Sequence, residues 1–294
     1  MLSVGSATMT PMSTPDPLAP FQWLDASQSR VDPLGEIYSI GFFRNLDPSE
    51  VVRRFSRGDD SGRESDFEEL NHRTAEFVRK NDSAHGGGHV GVFRAGAWSV
   101  AIEPVEWWMT DREVLAELSR DCEVLAITIH GYADHSLEYA IDGTTVTGHR
   151  LELPHDRWGS DPDRLNDHMR ELGMDLDGTD DDPAYDPDDP EDDWDISYTF
   201  VVPRTFALAE KVTGVTFTAD MLDQPLLVGP VAFRWSPPDH TTPRDPVRML
   251  VRGTLVAPGG PTAASDVPAP GASPRWRRRS VPSSVSTPIR SRCA

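Results

Sequence analysis

Met174 to Asp180 reads Met-Asp-Leu-Asp-Gly-Thr-Asp, a run of chemistry-bearing carboxylates with the form of an aspartyl-phosphate motif. Two carboxylates at a spacing of two could serve phosphoryl transfer, with Asp175 as nucleophile and Asp177 as general acid. That chemistry needs a buried apolar strand to aim both at Mg²⁺. Here a polar helical stretch and Gly173 precede the pair and more aspartates follow, so no strand holds it. A calcium loop fits no better. Asp175, Asp177 and Thr179 take positions 1, 3 and 5, but Asp180 stands where Gly is needed at position 6 and Asp186 replaces the closing Glu. Such a loop supports weak, nonspecific cation binding at Asp175, Asp177, Asp180, Asp181 and Asp182. No dedicated metal site and no cofactor are expected.

His85-Gly-Gly-Gly-His89 has the form of an esterase oxyanion loop, yet no Gly-x-Ser-x-Gly nucleophile elbow accompanies it. As a metal pair it lacks a third ligand, and three glycines deny it a rigid helical face. Gly-rich phosphate loops between a strand and a helix are also missing. No catalytic set is therefore assigned. The acid/base residues left for an enzyme reading are Glu103, His130, Asp134 and His135, and a hydrolase assembled from them is one alternative. The remaining distinctive residues are aromatic: Trp107, Trp108, Arg157 and Trp158 are candidates for binding a partner, one exposed Trp of the pair joining Trp158 as an anchor. Their structural use would put Trp98 in the core and one of Trp107 and Trp108 over the sheet edge. Glu103 would then cap a turn or pair with an Arg such as Arg157.

These residues must be positioned by short elements. Strands are expected at 36–43, 123–131, 136–142 and 145–153, with a hairpin over 90–104 turning at Ala95-Gly96. Val90, Val92, Trp98, Val100 and Ile102 recur at a spacing of two and are expected to share one buried face. Asp47-Pro48 opens a helix that ends near Gly58, Thr110 or Asp111 caps a second, residues 161–172 form a third stopped by Gly173, and 205–212 a fourth closed by Gly214. A short helical turn follows at 219–224, and residues 226–235 offer a last strand. Residues 58–88 read as a polar insertion containing one amphipathic helix at 67–78.

Composition narrows the function classes. The 294 residues carry 48 acidic and 28 basic side chains, a formal charge of -20, with 37% hydrophobic residues, 26 Pro and 22 Gly. That balance repels phosphate backbones and anionic lipid, so nucleic acid is an unlikely partner for the core and no membrane partner is expected. Between Asp175 and Asp195 there are twelve acidic residues and no Lys or Arg, which predicts an unfolded acidic loop. From Arg275 onward six arginines occur without an acid, leaving -26 on residues 1–274. Such an arm could tether nucleic acid, a further alternative, or be an extension without function. Cys122 and Cys293 make neither a disulfide framework nor a zinc pair. With no leader-like stretch and no long apolar run, the chain reads as cytoplasmic.

The segments FQWL, GFFRNLDPSEVVRRF, RAGAWSVAIEP, HRLELPHDRWGSDPDRL and ALAEKVTGVTFTADML resemble an uncharacterised actinobacterial family, a domain of unknown function. The resemblance covers roughly residues 20–225. It departs at 57–88, the acidic run and the Arg-rich tail, and implies no reaction, ligand or site residue. The expectation is a single α+β domain over 21–236, a mainly antiparallel sheet with three to four packed helices, between a disordered tail at 1–20 and another at 237–294. Its function is expected to be that of a noncatalytic acidic module, adaptor-like or immunity-like, that binds a basic protein partner.

Overall fold

The computed structural model describes residues 16–24, 33–81, 87–130, 135–178 and 201–232. Nine strands form one sheet: β1 (Ile37–Arg44), β2 (Arg63–Ser65), β3 (Gly88–Ala95), β4 (Trp98–Pro104), β5 (Glu123–His130), β6 (Ser136–Ile141), β7 (Thr144–Arg150), β8 (Leu153–Trp158) and β9 (Leu226–Val231). The order is β2-β9-β3-β4-β1-β5-β6-β7-β8, and every neighbouring pair is antiparallel. Five α-helices are described: α1 (Pro48–Phe55), α2 (Phe67–Asn81), α3 (Arg112–Leu118), α4 (Asn166–Glu171) and α5 (Val201–Thr213). The fold is α+β.

Both faces of the sheet are covered, and the strand sequences show why. In β1, Tyr38, Ile40 and Phe42 point one way and Ser39, Gly41 and Phe43 the other, and all six are buried. The first face packs against α2, α4, α5 and the turn Ala19–Leu24. There the rings of Phe206 and Phe217 stack at 5.6 Å and Phe21 lies 6.4 Å from Phe206. Burying each such ring stabilises the fold by about 2–3 kcal/mol. The second face is covered by α1 through Val51, Val52 and Phe55, by α3 through Val114, Leu115 and Leu118, and by Trp108 and Met109.

The hairpin turns at Gly96-Ala97, one residue later than the sequence suggests, with Ala95 opposite Trp98. A two-residue turn pairs odd positions with even ones, so Val90 and Val92 face α1 while Trp98, Val100 and Ile102 face the opposite core. The five residues expected on one face are thus divided between two. Residues 58–88, read as an insertion, supply the edge strand β2 and the helix α2, which places Leu70 in the main core. The helix expected over 161–172 is regular only from Asn166, because Arg164 and Asn166 donate to Asp161 and Asp163 in i,i+3 turns. Strand β8 was not foreseen. Asp111 caps α3, its carboxylate accepting from the backbone of Glu113 and Val114 at 3.0 and 3.1 Å. Residues 1–15, 180–195 and 237–294, on which the terminal tails and most of the acidic loop were placed, lie outside the described residues.

Candidate functional site

On the second face a polar row crosses the sheet where an apolar one would be expected. Glu103 of β4 is opposite Ser39 of β1, Ser39 is opposite Thr128 of β5, and Thr128 is opposite Ser136 of β6. The Ser39 and Thr128 hydroxyls meet at 2.7 Å, and Thr128 meets Thr110 at 2.9 Å. Ser39 donates to the Glu106 carbonyl at 3.1 Å. Past Pro104 the chain bends sharply. Val105 sits at φ 62, a left-handed conformation that disfavours a β-branched side chain, and its N–H bonds the Ile37 carbonyl at 2.8 Å. The bend leaves Val105 38% exposed and turns Glu106 inward, so that Glu103 and Glu106 are both fully buried.

Neither carboxylate is satisfied. The backbone amides of Trp108 and Met109 approach Glu103 and the Trp108 indole approaches Glu106, but none of the four carboxylate oxygens has a hydrogen bond of ordinary geometry. Burial pushes the Glu103 carboxyl up to about 8, the nearby amides opposing. Burial and then the charge of Glu103 push Glu106 up to about 9, the Trp108 indole opposing. Both groups therefore hold protons at neutral pH unless a cation replaces them.

One row further along the same face, Glu138 of β6, Gly148 of β7 and Trp158 of β8 are cross-strand neighbours. The Trp158 indole donates to Glu138 Oε1 at 2.8 Å, while Glu138 Oε2 is buried without a partner. Burial pushes Glu138 up to about 7, the Trp158 hydrogen bond and then Arg112 opposing. A Cβ at Gly148 would stand 2.4 Å from Glu138 Oε2 and 2.6 Å from Trp158 Nε1, so only glycine leaves room for this bond.

The residues singled out from sequence fall in several places. Glu103 and His130 share the second face, with His130 edge-on to Trp107 at 5.1 Å between ring centroids. His135 is held instead by Glu152 in the β7–β8 turn, and Asp134 lies outside the described residues. Trp107 stacks on buried Trp108 at 5.9 Å. Trp158 lies on the same face, three strands from His130 and level with Ala126, four residues further along β5, roughly 20 Å in all at ordinary strand dimensions. Arg157 points to the other face, donating to the Pro154 carbonyl at 2.7 Å and to Asp163 at 3.2 Å. Its suggested partner Glu103 is five strands away, roughly 24 Å, so that pairing is not made. The four partner-binding candidates do not form one patch. Asp175 and Asp177 are exposed, while Asp180, Asp181 and Asp182 lie outside the described residues.

Glu106, Glu138, Thr110 and Gly148 were missed. The signal was available: a carboxylate at alternating position within SLEYAI, and a second Glu three residues after Glu103. It is visible only once both faces of the sheet are known to be buried. Elsewhere, an open groove of about 470 Å³ between α2 and β3 is lined by Glu69, His72, Arg73, Glu76, Phe77 and His89. Its charges are largely matched, Arg73 to Glu69 at 2.7 Å and Lys80 to Glu76 at 2.8 Å. Among the described residues no three His, Cys, Asp or Glu side chains converge as metal ligands, and no helix is long and apolar enough to cross a membrane.

The fold and site define an α+β protein whose antiparallel sheet, covered on both faces, carries buried acidic groups. The model of a family of unknown function, DUF6461, matches residues 17–228, and the chain belongs to that family. The matched span includes both the 58–88 segment and the acidic run. No curated protein and no solved structure matches the chain.

Proposed function

We propose that the protein is a noncatalytic acidic interaction module, adaptor-like or immunity-like, that binds a basic segment of a protein partner in the cytoplasm of an actinobacterium. The observation that carries the reading is where the acidic run begins. Met174 and Leu176 are buried in the main core, Arg157 reaches the Leu176 carbonyl at 3.5 Å, and Gly178 lies against the His155 ring of β8. The run of twelve acidic residues without a basic one therefore begins at a point packed against β8, the edge strand of the sheet. A concentrated charge on a fixed base raises the encounter rate with a basic partner and makes binding salt-dependent. The arginine-rich composition, in which only Lys80 and Lys211 are lysines, supports the source.

The acid/base alternative has less to draw on. Glu103 is buried beneath Trp108 and Met109, and His135 is engaged by Glu152. The test is fluorescence anisotropy of a labelled twelve-residue Arg/Lys peptide against the full chain and a chain with residues 175–195 changed Asp→Asn and Glu→Gln. The proposal expects binding that weakens at least tenfold between 50 and 300 mM salt and is lost in the neutralised chain. Equal binding by both chains would contradict it.

A further inference from the structure

Glu103 and Glu106 stand apart from the acidic run in burial and in surroundings. We propose that these two carboxylates form a binding site for one hard divalent cation of the Mg²⁺, Mn²⁺ or Ca²⁺ class, closed over by residues 105–110. This goes beyond the interaction reading and does not depend on it.

None of the four buried carboxylate oxygens has a hydrogen bond of ordinary geometry, the Trp108 and Met109 amides and the Trp108 indole only approaching them. Oxygens so placed in a folded protein call for a proton or a cation. Among the described residues no basic side chain acts on either group; the only charge acting on Glu106 is that of Glu103. Two negative charges match one divalent ion. The polar groups around them are the hydroxyls of Ser39, Thr128 and Thr110, joined in one chain and tied to the Glu106 carbonyl. A set of oxygens without thiol or imidazole selects hard ions over Zn²⁺ or Cu²⁺. Two carboxylates are the number with which Mg²⁺ is commonly bound, water completing its shell. The Trp108 and Met109 amides beside Glu103, and the Trp108 indole beside Glu106, lie where outer donors orient ligating carboxylates. The left-handed Val105 folds Glu106 back toward Glu103 from a spacing of three residues.

The full chain, stripped with chelator and dialysed, is titrated at pH 7.5 with MgCl₂, MnCl₂ and CaCl₂ while its melting temperature is followed beside E103Q/E106Q. That variant keeps the acidic run and so reports binding there. The expected result is a rise that grows with the logarithm of ion concentration, reaching about 5–10 °C at a hundredfold excess over Kd for at least one ion, and absent from the variant. The second measurement covers a variant that fails to fold. In a W194F chain, which removes the tryptophan of the acidic run, Tb³⁺ bound beside Trp107 and Trp108 gives tryptophan-sensitised emission. It saturates at one ion, is displaced by Mn²⁺, and falls several-fold when W108F is added. Equal thermal shifts in both chains, or no displaceable emission, overturn the proposal and leave the two carboxyls holding protons.

Discussion

Replacing Gly148 by alanine adds one methyl group at the centre of the Glu138–Trp158 contact. The new Cβ would lie 2.4 Å from Glu138 Oε2 and 2.6 Å from Trp158 Nε1, so each must retreat by roughly 1 Å to reach ordinary contact. Neither side chain can do so while keeping the 2.8 Å hydrogen bond between them. Losing that bond and stranding the groups costs about 1–3 kcal/mol, and the overpacking adds about 1 kcal/mol or more, giving a destabilisation of about 2–4 kcal/mol. For a domain of this size the melting temperature should fall by roughly 5–15 °C. The assay is urea unfolding at pH 6, with Glu138→Ala as the second arm of a double-mutant cycle. Once Glu138 is shortened, the closest clash disappears, so G148A should cost at least about 1 kcal/mol less in that background. A G148A effect below about 0.5 kcal/mol, or full additivity with E138A, would refute the assignment of Gly148 as the residue that makes room for the bond.

Three further outcomes follow from burial and strain. Glu138, raised by burial to about 7 from 4.5, favours its protonated form in the fold, so its contribution is greatest below pH 4.5 and declines as pH rises to 7, by about 3 kcal/mol in all. Glu138→Gln keeps an acceptor for Trp158 and should remove this slope in urea midpoints taken from pH 4.5 to 8. His149, buried and lowered to about 4 from 6.5, behaves oppositely: its stabilisation is complete above pH 6.5 and is lost as pH falls to 4, by about 3 kcal/mol, so His149→Gln should flatten the acid limb measured against the parent chain. Val105→Gly, at an exposed left-handed position, should raise stability by about 1 kcal/mol, read as a higher urea midpoint with unchanged slope.

Where local chemistry decides, sequence and structure agree. Asp47-Pro48 opens α1, Asp111 caps α3, and Gly214, in a left-handed conformation, follows the last residue of α5. Where long-range pairing decides, they diverge. A spacing of two within each arm of the β3–β4 hairpin identifies strands but not the face each arm presents, because the parity of the turn sets that. β8, Leu-Pro-His-Asp-Arg-Trp, has too little alternation to read as a strand and is held by pairing with β7. The site follows the same pattern. Glu103 stood out as a carboxylate at the end of an apolar strand, while its partnership with Glu106 depends on the left-handed turn at Val105. Glu138 depends on a helical layer covering its face, and nothing local to SLEYAI announces that layer.

Whether the acidic run that follows Gly178, next to β8, receives a basic partner is decided by hydrogen exchange on the full chain with and without the Arg/Lys peptide at 50 mM salt. Slowed exchange is expected, confined to residues 153–158 and 174–195 and reversed at 300 mM salt. Protection elsewhere on the sheet, with these segments unchanged while the peptide is bound, would contradict it.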